Sequence, residues 1–296
     1  MPRNYQRSVE AFSIHGHIDP GSPDESLVDY DELFDSIATA VPDRLRHSIQ
    51  DETVAIVDTR PIEGGLALRV VSGRADEVAL LYDEASGQVT PVRTGEGMYI
   101  VRGIWIVVRR ASRILLVERK RPGVPVFQVE RLLSSFGKQH FRADSFKVAL
   151  NPIASPSFEA EVLRLRRIRQ ASITMRRPNE SWTEAARGFV GQLGASNAGE
   201  LQLQLKAERG QSLARDSGIV AEVLSLAREP ISELTNVSVS GTAPDSEDER
   251  TVSLKKHVVK GSVQIPSGST PNDDLNLILE IADELMERAS NGRSLE

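Results

Sequence analysis

The chain has 296 residues, with 42 Asp plus Glu against 36 Lys plus Arg and a net charge of −6. It has no cysteine, which excludes disulfides, thiolate catalysis and thiolate metal sites. The polar start MPRNYQRSVE lacks the apolar stretch of a secretory signal, and the longest apolar runs, such as IWIVV at 104–108, are strand-sized rather than membrane-sized. These features predict a soluble, cytoplasmic protein large enough for one big domain or two smaller ones.

In chain order, SVEAFSIH (8–15) predicts a strand, followed by the turn residues DPGSPDE. Residues 26–40 carry Leu27, Tyr30, Leu33, Phe34 and Ile37 at helical spacing, with Asp24 or Ser26 as cap and Pro42 as stop. Short β-like runs follow at 53–59, 66–72 and 77–83. YIVRGIWIVVRR (99–110) and SRILLVERK (112–120) predict a hairpin around Arg110-Ala111-Ser112. VFQVERLLSSF (126–136) predicts a helix stopped by Gly137, and FKVAL (146–150) a strand.

A boundary is expected near LNPIASPS. The expected division is an N-terminal α+β domain, 1–152, and a C-terminal α+β domain, 153–296. In the second, FEAEVLRLRR (158–167) predicts a helix, RQASITMR (169–176) a strand, and 181–193 a helix. ELQLQLKA (200–207) alternates and predicts a half-buried strand with Leu201, Leu203 and Leu205 on one face. GIVAEVLSLA (218–227) predicts a helix, NVSVSGT and TVSLKKHVV strands around the acidic loop 243–249, and LNLILEIADELMERA (275–289) a closing amphipathic helix. The fold class is α+β, with antiparallel-rich sheets and packed helices.

Two motifs raise enzyme readings. His15, His17 and Asp19 in HGHID have the H-x-H-x-D order of some metal hydrolases, but Pro20 stands where a further His is needed and no other ligand lies nearby. The bland alternative is a strand end followed by a turn. Glu118 and Lys120 in LLVERKRPG, with Asp83 upstream, fit the acid–acid–lysine set of a magnesium-dependent nuclease. There the alternative is a charged strand edge. Phosphate-loop, dinucleotide and nucleophile-elbow patterns are absent from the sequence.

Charge is unevenly spread. Residues 102–187 hold 18 Lys plus Arg and 7 Asp plus Glu, whereas the remainder holds 18 and 35. A basic middle suits a polyanion partner, or pairs with the acidic remainder of its own fold. The first option puts Arg109, Arg110, Arg113, Arg119, Lys120, Arg121, Arg164, Arg166, Arg167, Arg169, Arg176 and Arg177 on DNA phosphates. Lys255, Lys256 and Lys260 form a secondary patch. Arginine forks on phosphates imply duplex binding with low sequence preference, and neither a cofactor nor a metal is expected.

Several stretches carry a family likeness. These are the strand ITMRRPN (173–179), the segment with Ala207, Gly210, Ser212 and Leu213, the opening FSIH, and the QVER run from Gln128. In these the chain resembles a bacterial and phage family related to the RexA-like phage exclusion proteins, whose fold is similar to that of RdgC. The resemblance implies a homodimer of two α+β domains that binds duplex DNA without catalysis, in phage exclusion or prophage regulation, alongside a membrane effector encoded nearby. A nuclease using Asp83, Glu118 and Lys120, or a protein–protein adaptor, are the alternatives.

Overall fold

The computed structural model describes residues 4–19, 26–49, 51–75, 77–92, 95, 98–176, 200–230, 234–243 and 248–291. The expected turn at 20–25, the helix at 181–193, Arg177 and most of the acidic loop lie outside them.

The longest apolar runs build the centre of a nine-stranded sheet. Strands β8 (Arg102–Arg109) and β9 (Ile114–Arg119) form the expected hairpin, turned at Arg110 to Arg113. Arg113 takes φ 53 there. Their side chains alternate between two cores. Ile104, Ile106, Val108, Leu115 and Val117 enter one, whereas Trp105, Val107, Ile114 and Leu116 enter the other. A run without polar alternation is what a strand covered on both faces requires.

Outward from the hairpin lie β5 (Gly65–Gly73), β4 (Glu52–Ile62) and β3 (Arg46–Ile49) on one side, and β1 (Asn4–Ile18) on the other. The far edge of β1 pairs with two strands end to end. Its residues 12–18 meet β10 (Phe146–Pro152), and residues 4–10 meet β15 (Lys260–Pro266). The short β2 (Ser26–Leu27) also joins β1. All these pairings are antiparallel.

Helices α1 (Tyr30–Thr39) and α2 (Val126–His140) cover one face. Helix α1 starts four residues later than its apolar spacing predicts, because Ser26 and Leu27 are drawn into β2; Asp29 caps it by accepting from Glu32 N at 3.0 Å. Helix α2 runs through Gly137 instead of stopping there. The glycine is needed for packing: a Cβ would sit 2.2 Å from the Phe146 ring.

A second, four-stranded antiparallel sheet runs β12 (Glu200–Lys206), β11 (Arg167–Arg176), β13 (Leu234–Thr242), β14 (Glu249–Ser253). Helices α3 (Pro156–Arg164) and α4 (Gly218–Arg228) share its core, with Phe158, Val162, Ile173, Val223 and Val237. β12 forms as its alternation predicts, but Leu203 and Leu205 are exposed rather than half-buried among the described residues.

The closing amphipathic helix α5 (Pro271–Asn291) does not join this second sheet, nor does β15. Both belong to the nine-stranded sheet, whose second face α5 covers with Leu275, Ile278, Ala282 and Leu285. The packing is therefore not divided cleanly at 152/153, because the last quarter of 153–296 returns to the first sheet. The chain crosses between the sheets twice, at Ile153–Ser155 and His257–Val259. Ile153 N donates to Ala11 O at 3.0 Å, Ala11 N to Val259 O at 2.9 Å, and Val259 N to Ile153 O at 2.8 Å. One residue of β1 thus anchors both crossings.

Candidate functional site

The stretch VERKR shows how the fold sorts charge. Strand alternation sends Glu118 and Lys120 to the α5 face and Arg119 to the α2 face. Glu118 is 1% exposed. Its Oε2 accepts from Trp105 N at 2.9 Å, and three cations surround it: Lys120 Nζ at 3.7 Å, Arg69 Nη1 at 3.8 Å and Arg7 Nε at 3.9 Å. Asp274, in the first turn of α5, faces the same cations. Burial raises the Asp274 pKa, against the pull of Lys120, Arg69 and Arg7, and burial lowers that of Lys120, against the pull of Glu118. Trp105 Nε1 donates to Pro271 O at 2.6 Å, and Arg60 and Arg69 lie over the Trp105 ring at 5.5 and 5.4 Å. The cluster fastens α5 to the sheet.

This arrangement differs from the expected acid–acid–lysine set. Glu118 and Lys120 do meet, but the Glu118 oxygens face three cations that would compete with a metal ion. Asp83 is elsewhere: it is fully exposed in the separate hairpin of β6 (Leu80–Tyr82) and β7 (Val89–Pro91), accepting from Ser86 Oγ at 2.6 Å and Ala85 N at 2.9 Å. HGHID is likewise structural in its contacts. His15 Nε2 meets Ser13 Oγ at 2.9 Å, and Asp19, at φ 50, accepts from Ser145 N at 2.6 Å to close the end of the β1–β10 pair. Among the described residues no group of three or more His, Cys, Asp or Glu is placed to hold a metal ion.

The arginines expected to contact DNA divide. Several are neutralised within the fold: Arg109 pairs with Asp283, Arg110 with Asp35 at 2.5 Å, Arg119 with Glu10 at 3.2 Å, and Arg164 with Glu161 at 3.1 Å. Arg113 lies over the Tyr30 ring, and Arg167 Nε donates to Gln211 O at 2.7 Å. Arg121 and Arg166 are exposed, and Arg169 and Arg176 lie on β11. Arg102, which pairs with Glu52, joins Arg109, Arg110 and Arg119 in pairing the basic middle with the acidic remainder, so part of the charge asymmetry is met within the fold.

What the structure adds is a cleft of about 610 Å³ between the two sheets. One wall is the start of α2 with Phe127, which is 40% exposed; the floor is β10; the other wall is Leu234 of β13 and the 3₁₀ turn Leu254–Lys256. Arg119, Lys147 and Lys255 line it, with Glu10 and Glu130. Glu10 pairs with Arg119, and Glu130 accepts from Leu150 N at 2.8 Å; Ser134 Oγ accepts from Val148 N at 2.9 Å. These side chains of α2 cap the open edge of β10. Lys147 and Lys255 have no counter-ion among the described residues. Arg119 and Lys255 are 136 positions apart, and Lys147 stands alone in the sequence, so no local pattern marks this convergence.

The stretches that carry the family likeness hold the fold. Gln128 donates to Glu52, Val129 is in the core, and Glu130 caps β10. Ala207 N donates to Arg169 O at 2.8 Å, Ser212 Oγ accepts from Ile168 N at 3.0 Å, and Leu213 N donates to Ile168 O at 2.9 Å, beside the bulge of β11. No helix among the described residues is long and apolar enough to cross a membrane. Comparison with curated proteins finds no match. Residues 109–272, more than half of the chain and running from the turn before β9 through the second sheet, match the model of a family described as a domain of unknown function (DUF4747), and the chain belongs to that family.

Proposed function

We propose that the protein is a non-catalytic binder of polyanions, duplex DNA first among them, and that its contact surface is the cleft between the two sheets. One observation carries this reading. Arg119, Lys147 and Lys255 converge from three separate elements on one open cleft, and two of the three have no counter-ion among the described residues. Arg121 and Lys256 extend the basic surface by one or two residues from the cleft lining, and both are exposed. Lysines with free charges release counterions from a phosphate backbone without reading bases. The enclosure of Glu118 supports a structural rather than catalytic role for the Glu118–Lys120 pair.

A place in phage exclusion or prophage regulation, a homodimeric state and a nearby membrane effector rest on the RexA-like resemblance, and a cytoplasmic location rests on the polar start and short apolar runs of the sequence. The binding reading is tested by a gel shift with random-sequence duplex DNA over a salt series. Wild-type protein should shift the DNA, with affinity falling steeply as salt rises. The Lys147→Glu/Lys255→Glu variant should lose at least tenfold. An equal shift by that variant, or none by the wild type, refutes the assignment. DNA cut in the presence of magnesium would instead favour the nuclease.

A further inference from the structure

The segment between β5 and β8 is the most apolar exposed part of the described chain. Val78, Leu80, Leu81, Tyr82 and Val89, of the β6–β7 hairpin and its approach, are each 56–65% exposed. Met98, Ile100 and Val101, on the return to β8, are exposed as well. Leu80 and Leu81 are adjacent on one strand and so point to opposite faces. Among the described residues neither face is covered, and the hairpin forms a two-stranded sheet of its own. Such a hairpin is marginal in water, and contiguous apolar exposure of this kind marks a contact surface.

The charge of this arm says what it fits. Residues 77–92 contain Glu77, Asp83 and Glu84 and no Lys, Arg or His. Two such arms would repel each other. The cleft offers the complement: Lys147 and Lys255, which have no counter-ion among the described residues, beside the exposed ring of Phe127 and the half-buried Val126. The arm also springs from the same end of the sheet as Arg119, since Ser72 pairs with Arg102 at its base and β9 runs antiparallel to β8. A two-fold axis near that end lets each copy give one arm and receive one, which closes the assembly at two.

We infer that two copies of this chain associate by exchanging arms, the acidic, apolar β6–β7 hairpin of each seated in the basic cleft of the other. The cleft then holds either the partner's arm or a phosphate backbone, and the dimer is the DNA-free form. The contact stands without the DNA reading, because it is measured in the absence of DNA.

The test is the mass of the full chain by sedimentation equilibrium across the micromolar range. The wild type should run at twice 32.5 kDa and dissociate as salt rises. Leu81→Asp, on an exposed site, should weaken the dimer at least tenfold while still shifting DNA, which separates this inference from the binding proposal. Glu77→Lys/Glu84→Lys reverses the arm, and Lys147→Glu/Lys255→Glu reverses the cleft. Each should be monomeric alone. Mixed in equal amounts they should form a heterodimer, since each arm then meets a cleft of opposite sign. A monomeric wild type, a dimer that survives cleft reversal, or a mixture that stays monomeric overturns the inference.

Discussion

Glu118 and Lys120 face α5, whereas Arg119 between them faces the cleft. On the α5 face five charged side chains are enclosed with Trp105 and hold a helix down. On the other face Lys147 and Lys255 remain available beside a cavity open to solvent. The chemistry is the same on both sides, and enclosure alone separates a fastening from a surface able to meet a partner. Charge density along a sequence does not distinguish the two, because strand alternation deals successive residues to opposite faces.

The largest effect should come from the closed side. Glu118→Ala leaves Arg7, Arg69 and Lys120 without their shared carboxylate, and by analogy with other broken buried pairs it should cost about 3–5 kcal/mol. Urea denaturation measures this; a loss below about 1 kcal/mol would mean that the cluster does not fasten α5. On the open side, Lys147→Glu/Lys255→Glu should leave stability within about 0.5 kcal/mol of wild type. It should also lower the slope of log affinity against log salt by about 2, one for each phosphate contact removed. A large stability loss without change in slope would make these lysines structural too and erase the distinction.

Glu52 lies at the sheet's other flank, at the start of β4. Burial pushes its pKa up, but hydrogen bonds from Gln128, Ser72 and Arg102 outweigh this and hold it below the usual value of 4.5. A carboxylate with a depressed native pKa gives stability that is present above the unfolded value and lost as pH falls through the native one. Glu52→Gln should therefore cost about 1–2 kcal/mol at neutral pH and flatten the acid limb below pH 4.5. Stability curves from pH 7 to 3 would show it. The smallest effect belongs to Arg110→Ala. Its partner Asp35 is largely exposed, so stability should move by less than about 0.5 kcal/mol and DNA affinity by less than twofold. A larger drop in affinity would return the hairpin tip to the contact surface.

Much of the fold was legible because local period and burial agree. The β8–β9 hairpin, α2, α4 and α5 all follow from apolar spacing, and every one is covered on the face its pattern marks. The failures have physical causes. Gly137 carries the signal of a helix stop, yet Phe146, nine residues on, needs the space of its missing side chain. Leu27 has helical spacing but is taken by β1, a partner ten residues earlier. The α5 helix is evident in the sequence, whereas its attachment to the first sheet depends on Trp105, Arg69 and Lys120, none near it in the chain. The cleft was the least legible part. Arg119 and Lys255 stood in separate basic groups, and only the double crossing at Ala11 brings the second sheet alongside β10.

That crossing has a consequence for synthesis. The first long strand, β1, finds its partner β15 some 250 residues later, and α5 later still. Until both emerge from the ribosome, one edge of β1 and the apolar face of β8 and β9 stay open to whatever is nearby. A nascent chain halted before residue 260 should thus carry a formed central hairpin and an unshielded surface, and a chaperone that recognises exposed apolar strands should hold it until the end of translation.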